Sequence, residues 1–263
     1  MAFRLFSQRR RERLRAAPFP PEWRSVIEHN LPVFRRLSPA DQSELLGHVQ
    51  VFLAEKSFEG CGGLKLTDEI RLTIAGQACM LLLHRDTDYY PELTSILVYP
   101  SGYVTYEDRS LGGGIWEEGD EGRLGHTARE LRAMVLAWDA AKQGAADPRD
   151  GKNLVLHEFA HQLDFENLQA DGTPALDTRG AYVAWARVMS AELQALRTAD
   201  DSGLPTVLDR YGATNPAEFF AVATEAFFER PLALRAHHPA LFHELNKFFR
   251  QDPTAYSSED RRP

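Results

Sequence analysis

The motif with the clearest chemistry is His157-Glu158-Phe159-Ala160-His161, in which two histidines four residues apart flank a glutamate. On a helix with about 3.6 residues per turn, positions i and i+4 lie on one face, so both imidazoles can reach the same ion. Glu158 lies about 100° around the helix. From there it can polarise a water on the metal without being a ligand. The spacing therefore predicts a zinc site that activates water, with Glu158 as its base.

The surroundings of the motif favour this metal interpretation. Apolar residues fill the same segment at helical spacing: Leu154, Val155, Leu156, Phe159, Leu163 and Phe165. Three ionisable groups buried without a partner in such a helix would cost on the order of several kcal/mol, and a zinc ion suits all three. Histidines that are satisfied by hydrogen bonds on a half-exposed helix are the weaker alternative.

A catalytic zinc site usually has three protein ligands and keeps a further position for water, so another ligand must be found. Metzincins have a glycine and a histidine three and six residues after the second motif histidine. This chain has Asp164 and Asn167 there, which excludes that class. Glu218 is the best remaining acid. It also fits a helix cap, because Asn215 suits the N-cap, Pro216 the first helical position and a glutamate the third. Spacing alone leaves both roles of Glu218 open.

Other acids and histidines are weaker candidates for the site. Glu225 lies about two helical turns further along the same face, and it could be a rival ligand or an acceptor for a ligand histidine. Asp164 could also orient an imidazole. His237, His238 and His243 lie on or beside a separate terminal helix and resemble surface histidines. The chain has no GxSxG elbow, Walker phosphate loop or GxGxxG after a strand.

Hydrophobic periodicity predicts several helices around the motif. Residues 21–55 should form two or three short helices with Ser38 as an N-cap, and Thr67 should cap a buried helix that runs through Leu83. Further helical patterns cover residues 153–168, 182–196, 216–229 and 239–249.

Strands are predicted between these helices. Residues 93–99 are rich in branched side chains, and with residues 103–106 they indicate a hairpin or two adjoining strands. The second half of residues 128–138 favours a strand placed just before the motif helix.

Charge and cysteine content exclude some classes of function. The 263-residue chain has a net charge of -8, which argues against a general nucleic-acid or anionic-membrane surface. Arginines crowd residues 9–15, which we expect to be a solvated, fraying arm.

Cys61 and Cys79 have no metal-binding spacing and suit thiols in a reducing compartment. No apolar run approaches the roughly eighteen residues of a membrane span, so a cytosolic protein without a membrane or direct nucleic-acid partner is predicted.

Three segments resemble the Mlc titration factor A family of bacterial zinc peptidases: HEFAHQLD at the motif, YGATNPAEFFAVATEAFFE later on, and VLAWDAAK before the motif helix. The second of these also resembles the metal-binding region of anthrax lethal factor. The resemblance implies a gluzincin-like site with one Zn²⁺ per chain, Glu218 as third ligand and Tyr211 as a donor to the reaction's oxyanion. Val222 departs from lethal factor, which has an acid four residues after the ligand glutamate. The orienting role therefore falls to Glu225 or Asp164.

Members of that family are described as cytosolic, as having modest aminopeptidase-like activity, and as binding the glucose repressor Mlc. In the implied mechanism, Glu158 passes a proton from the zinc-activated water to the leaving amine, while Tyr211 and the metal share the oxyanion. A rival of another class is a regulatory protein that sequesters a transcription factor, with structural zinc or incidental peptidase activity. The presence of Glu158 favours a catalytic zinc site over a structural one, because a structural site needs no base beside its ligands.

The expected fold is α+β and zincin-like, with a small mixed sheet on the HExxH helix and additional N- and C-terminal helices. We expect residues 1–60 to form a helical segment packed on the core, residues 61–256 the catalytic domain, and residues 257–263 a polar tail.

Overall fold

The computed structural model describes residues 2–102, 132–147 and 149–257, with side chains from residue 7 onward. The chain forms two compact units. The first comprises Met1–Leu83 and Leu93–Ala146, and the second comprises His84–Glu92 and Asp147–Pro263. The division expected from the sequence, with boundaries at residues 60 and 256, stays a prediction.

The first unit combines helices with a small sheet. Its helices are α1 (Ala2–Ala16), α2 (Pro21–Asn30), α3 (Pro39–Glu55), α4 (Asp68–Met80) and α5 (Trp138–Ala146). Its strands are β1 (Ser57–Gly60), β2 (Ser95–Tyr99) and β3 (Ala133–Ala137). Ser38 and Thr67 cap α3 and α4 as predicted, because their hydroxyl oxygens accept the N–H groups of Asp41 and Ile70. Helix α4 is buried but ends at Met80, before the predicted limit at Leu83.

The described strands form one parallel sheet in the order β1-β2-β3. Ser95 of β2 is paired with Ser57 on one side and with Ala133 on the other. Ile96 and Val98 are fully buried, which is the alternation expected of a strand. Parallel neighbours need crossover connections, and α4 lies in the connection from β1 to β2. The architecture is α+β as predicted, but both pairings among the described strands are parallel, whereas a mixed sheet was expected. The strand predicted for residues 103–106 lies outside the described residues.

Two predictions about the first unit are wrong. The arginine-rich N-terminus is not a fraying arm, since it forms α1, which packs on α3. The Arg11 guanidinium donates to both carboxylate oxygens of Glu55 at 2.9 and 3.0 Å, and such bidentate pairs hold geometry well. The strand β3 is present but does not come just before the motif helix. Residues 138–146 between them are rich in alanine, a strong helix former, and fold as α5.

The second unit is helical in its described residues and contains the HExxH motif. Its helices are α6 (Leu154–Asp164), α7 (Arg179–Asp201), α8 (Pro216–Glu229), α9 (Pro231–His237) and α10 (Pro239–Phe249). The predicted limits of α8 and α10 are confirmed, whereas α6 ends at Asp164 and continues as the 3-10 turn Phe165–Asn167. Trp185, Phe220 and Phe248 form a core cluster of edge-to-face rings.

Helix packing within the second unit positions the site. Helix α6 packs against α8, and α8 packs against the 3-10 turn Arg210–Ala213. Across the part of the chain that the structure describes, no helix is long and apolar enough to cross a membrane.

Candidate metal centre

Helix α6 brings the two motif histidines together. Asn153 caps the helix by accepting the Leu156 N–H at 3.0 Å, and the apolar side of the helix, including Phe159, is buried. The polar side leaves His157 and His161 half-buried, with their Nε2 atoms 3.2 Å apart. Two imidazole nitrogens in this arrangement can share one cation.

Glu218 uses its backbone for the helix cap and its side chain for the histidines. Its N–H donates to Asn215 Oδ1 at 3.0 Å, which completes the cap of α8. Its carboxylate Oε2 lies 3.0 Å from His157 Nε2 and 3.4 Å from His161 Nε2. In the capping box that the sequence left open, the Glu218 carboxylate would accept the Asn215 N–H. The carboxylate instead lies at the histidines, and only the backbone N–H of Glu218 takes part in the cap.

The three side chains fit a zinc ion. His157, His161 and Glu218 each offer a ligand atom, and these atoms all lie within 4.8 Å of one another. Two imidazoles and one carboxylate are a donor set that zinc prefers, and three protein ligands leave a position for water.

The electrostatics of the cluster favour positive charge. Burial disfavours the charged imidazole of His157, but hydrogen bonds to Glu218 and Glu225 outweigh burial and raise its pKa to about 10. Burial also disfavours the Glu218 carboxylate, but hydrogen bonds with His157 and His161 outweigh it and lower the pKa of Glu218 to about 2. A carboxylate that stays ionised beside two imidazoles is ready to bind a cation.

Glu225 and Asp164, the two candidates for orienting an imidazole, have different partners. Glu225 Oε1 lies 2.8 Å from His157 Nδ1. When Nδ1 donates this bond and Nε2 gives up its proton, Nε2 can bind a metal beside Glu218, which is the usual arrangement of a metal-binding histidine. Asp164 is fully buried and accepts the N–H of Gly172 at 2.9 Å, so it holds the loop after the motif helix. Glu225 therefore contacts the ring nitrogen opposite the one that faces the cluster of ligand atoms.

Sequence comparison relates nearly the whole chain to known proteins. A family described as glucose-regulated metallo-peptidase M90 matches residues 5–250. The chain belongs to this family. A relative from Synechocystis sp., named only as an uncharacterized protein, is 40% identical over 244 residues, which cover 93% of this chain and 89% of the relative. Proteins named Mlc titration factor A in Yersinia pestis and Yersinia pseudotuberculosis are 30% identical over 239 residues, which cover 89% of this chain and 86% of theirs. The predicted resemblance is confirmed, and the family name implies a bound metal.

Two further residues of this M90 chain were predicted to take part in chemistry. Glu158 follows His157 on α6 and is half-buried. Tyr211 lies on the 3-10 turn Arg210–Ala213, and its ring centroid is 6.0 Å from that of His157. The structure thus brings Tyr211 beside the ligand cluster.

The turn that carries Tyr211 is fixed by residues that sequence reasoning missed. Asp209 accepts the Tyr211 N–H at 2.9 Å, and Arg197 of α7 donates to the Ala213 carbonyl oxygen at 2.9 Å. A Cβ on Gly212 would lie 3.2 Å from Val222, so glycine permits close packing of this turn on α8. Asp209 could have been recognised as a cap before a short turn. Nothing in the sequence marks Arg197.

The C-terminal histidines do not belong to the cluster of ligand atoms around His157. His238 Nδ1 lies 2.7 Å from Glu192 Oε2 on α7. His237 ends α9, and His243 lies within α10.

Behind the cluster, a second glutamate of α8 is buried. Glu229 accepts a hydrogen bond from Asn153 Nδ2 at 3.0 Å. Burial raises the pKa of Glu229 to about 9, against the opposing effect of that hydrogen bond, and the negative charges of Asp150 and Glu225 add to the rise. Between a pKa of 4.5 in the unfolded chain and about 9 in the folded chain, only the folded chain holds this proton. The contribution of Glu229 to stability therefore falls as pH rises through this window.

Glu229→Gln should remove this loss of stability. Glutamine retains the carbonyl acceptor for Asn153 and has no proton to release, so the free energy of unfolding should fall less between about pH 5 and about pH 9 than in the wild type. Urea denaturation of both proteins, each freed of metal by a chelator, measures the difference. Equal falls in the two proteins would show that Glu229 titrates alike in the folded and unfolded chains.

Proposed function

We propose that this M90 chain is a zinc-dependent, aminopeptidase-like peptidase with a zincin-like fold, in which His157, His161 and Glu218 hold one Zn²⁺ per chain. The observation that carries the proposal is the convergence of three ligand atoms, while the other ring nitrogen of His157 is engaged by Glu225. Helix packing alone requires neither the three converging ligand atoms nor the contact between Glu225 and His157. The cap of α8, for example, is complete without the Glu218 carboxylate. A zinc site needs both.

In this proposal the bound metal would act as a Lewis acid and lower the pKa of a bound water, so that the water can react near neutral pH. Glu158 takes the proton of the attacking water and delivers it to the amine that leaves. Tyr211 donates a hydrogen bond to the oxygen of the scissile carbonyl as negative charge develops there. His157, His161 and Glu218 hold the centre, and Glu225 keeps the imidazole of His157 oriented.

Removal of metal tests the proposed activity. The purified protein should contain about one zinc per chain, and a strong chelator should abolish hydrolysis of unblocked peptides. Added Zn²⁺ should restore hydrolysis, because the ligands remain in place. Peptide turnover that is unaffected by complete loss of metal would contradict zinc-dependent catalysis.

Tyr211→Phe should lower the catalytic rate without loss of zinc. The substitution removes one donor to the oxyanion, an effect of about ten- to a thousandfold, and keeps the ring beside His157. Zinc content and peptide turnover, measured on the same preparation, check both parts. An unchanged rate would make Tyr211 a packing residue.

The names of the Yersinia relatives motivate a second role. We propose that this chain also binds an Mlc-type glucose repressor, acting in the cytoplasm, which the free thiols Cys61 and Cys79 suit. The alternative is that such binding is the whole function and the peptidase activity is incidental. Titration of a repressor of this type, where the host has one, into wild type and Glu158→Gln shows whether it binds and whether binding is independent of the proposed base. The absence of binding to both proteins would refute the regulatory role.

A further inference from the structure

Asn153 makes more hydrogen bonds than a helix cap requires. It is 4% exposed and lies directly before α6. Its Oδ1 accepts the Leu156 N–H, its backbone N–H donates to Glu225 Oε2, and its Nδ2 donates to Glu229 Oε1. Serine, threonine or aspartate would cap the helix as well, but none of them has the side-chain amide that donates to Glu229. The cap alone does not explain an asparagine at this position.

The bond to Glu225 connects Asn153 with the ligand cluster. Both carboxylate oxygens of Glu225 are engaged, Oε1 by His157 Nδ1 and Oε2 by the Asn153 N–H. A carboxylate held at both oxygens has a fixed plane, so it also fixes the direction in which the His157 ring is held. Partners behind a ligand histidine set the orientation of its ring and contribute to metal affinity.

The bond to Glu229 fixes the Asn153 side chain to α8. Glu229 follows Glu225 by four residues on α8, so both face α6. The same helix carries Glu218, so Asn153 joins the two ligand-bearing helices at two points. We infer that Asn153, locked by Glu229, is a positioning residue for the metal centre and holds Glu225 where it aligns His157. This inference rests on the proposed function.

Asn153→Ser tests the inference because serine retains a cap acceptor and loses the donor to Glu229. The zinc dissociation constant, measured by competition with a chelator of known affinity, should rise about tenfold or more. The visible absorption spectrum of the cobalt(II)-loaded protein should also shift, because the imidazole is held less firmly. Thr178→Ala is the matched control, since Thr178 caps α7 by accepting the Ala181 N–H at 3.1 Å. It should lower the thermal midpoint and leave the zinc dissociation constant unchanged.

A second pair of variants leaves the motif helix untouched and decides the question should Asn153→Ser fail to fold. Glu229→Gln retains the acceptor for Asn153 and should bind zinc as tightly as the wild type. Glu229→Leu removes the acceptor and should weaken zinc binding by a factor similar to that expected for Asn153→Ser. Zinc affinity within about twofold of wild type in the folded variants that lose the Asn153–Glu229 bond would overturn the inference, because outer partners that matter cost about 10–100-fold. A wild type that binds no zinc would instead overturn the proposed function, and this inference with it.

Discussion

Glu218→Gln should bind zinc more than about a hundredfold more weakly than the wild type and lose peptide hydrolysis, because changes behind the ligands already cost about 10–100-fold. The variant should stay folded, since Asn215 accepts the backbone N–H of residue 218, which the substitution leaves in place. The glutamine amide is neutral and a far weaker zinc ligand than a carboxylate. Chelator competition measures the zinc dissociation constant, and circular dichroism verifies the fold.

The control for this variant is the same substitution elsewhere on the same helix. Glu229→Gln changes a buried glutamate of α8 whose role uses only a carbonyl acceptor, so zinc should stay bound. Glu225→Gln distinguishes the rival assignment. If Glu218→Gln still bound zinc tightly and Glu225→Gln did not, the third ligand would be Glu225, although its Oε1 contacts His157 Nδ1 in this structure.

Glu158→Gln should keep its zinc and lose peptide hydrolysis by a factor of about 10² to 10⁴, the usual contribution of a general base. The amide has the shape of the carboxylate but cannot accept the proton of the attacking water. Zinc content and turnover are to be measured on the same sample, because retention of metal separates a lost base from a lost site.

Glu192→Gln is a suitable control for the loss of one carboxylate from this unit. It weakens only the contact with His238, so zinc content and turnover should both stay at wild-type values. Near wild-type turnover in Glu158→Gln would remove Glu158 from the mechanism and favour a regulatory protein with a structural metal.

Sequence reasoning is strongest where the chemistry lies within one helix. His157 and His161 could be paired from their spacing because positions i and i+4 meet on any helix, whatever the rest of the fold. Glu218 belongs to another helix, so its side chain could be placed at the histidines only by tertiary structure or by resemblance. The choice between Glu225 and Asp164 depended on which carboxylate the packing of α6 on α8 brings to Nδ1, and no local pattern encodes that.

In the fold, too, local features could be predicted from the sequence and long-range contacts could not. Caps such as Ser38 and Thr67 were predictable because they depend on residues three positions apart. The prediction of a fraying N-terminal arm was wrong because the Arg11–Glu55 pair, which holds α1, joins two segments that are distant in the sequence. Strand order also depends on long-range pairing, and periodicity could indicate only that residues 93–99 and the second half of residues 128–138 form strands. The Asn153 side chain contacts both α6 and α8, and no local pattern indicates what an asparagine amide contacts on another helix.

A zinc anomalous difference map from crystals of the purified protein tests the central claim most directly. We expect one peak, at a bonding distance of about 2.0–2.2 Å from His157 Nε2, His161 Nε2 and a carboxylate oxygen of Glu218. A zinc peak bound by other residues, or no peak at these three side chains after zinc is supplied, would contradict the proposed metal centre.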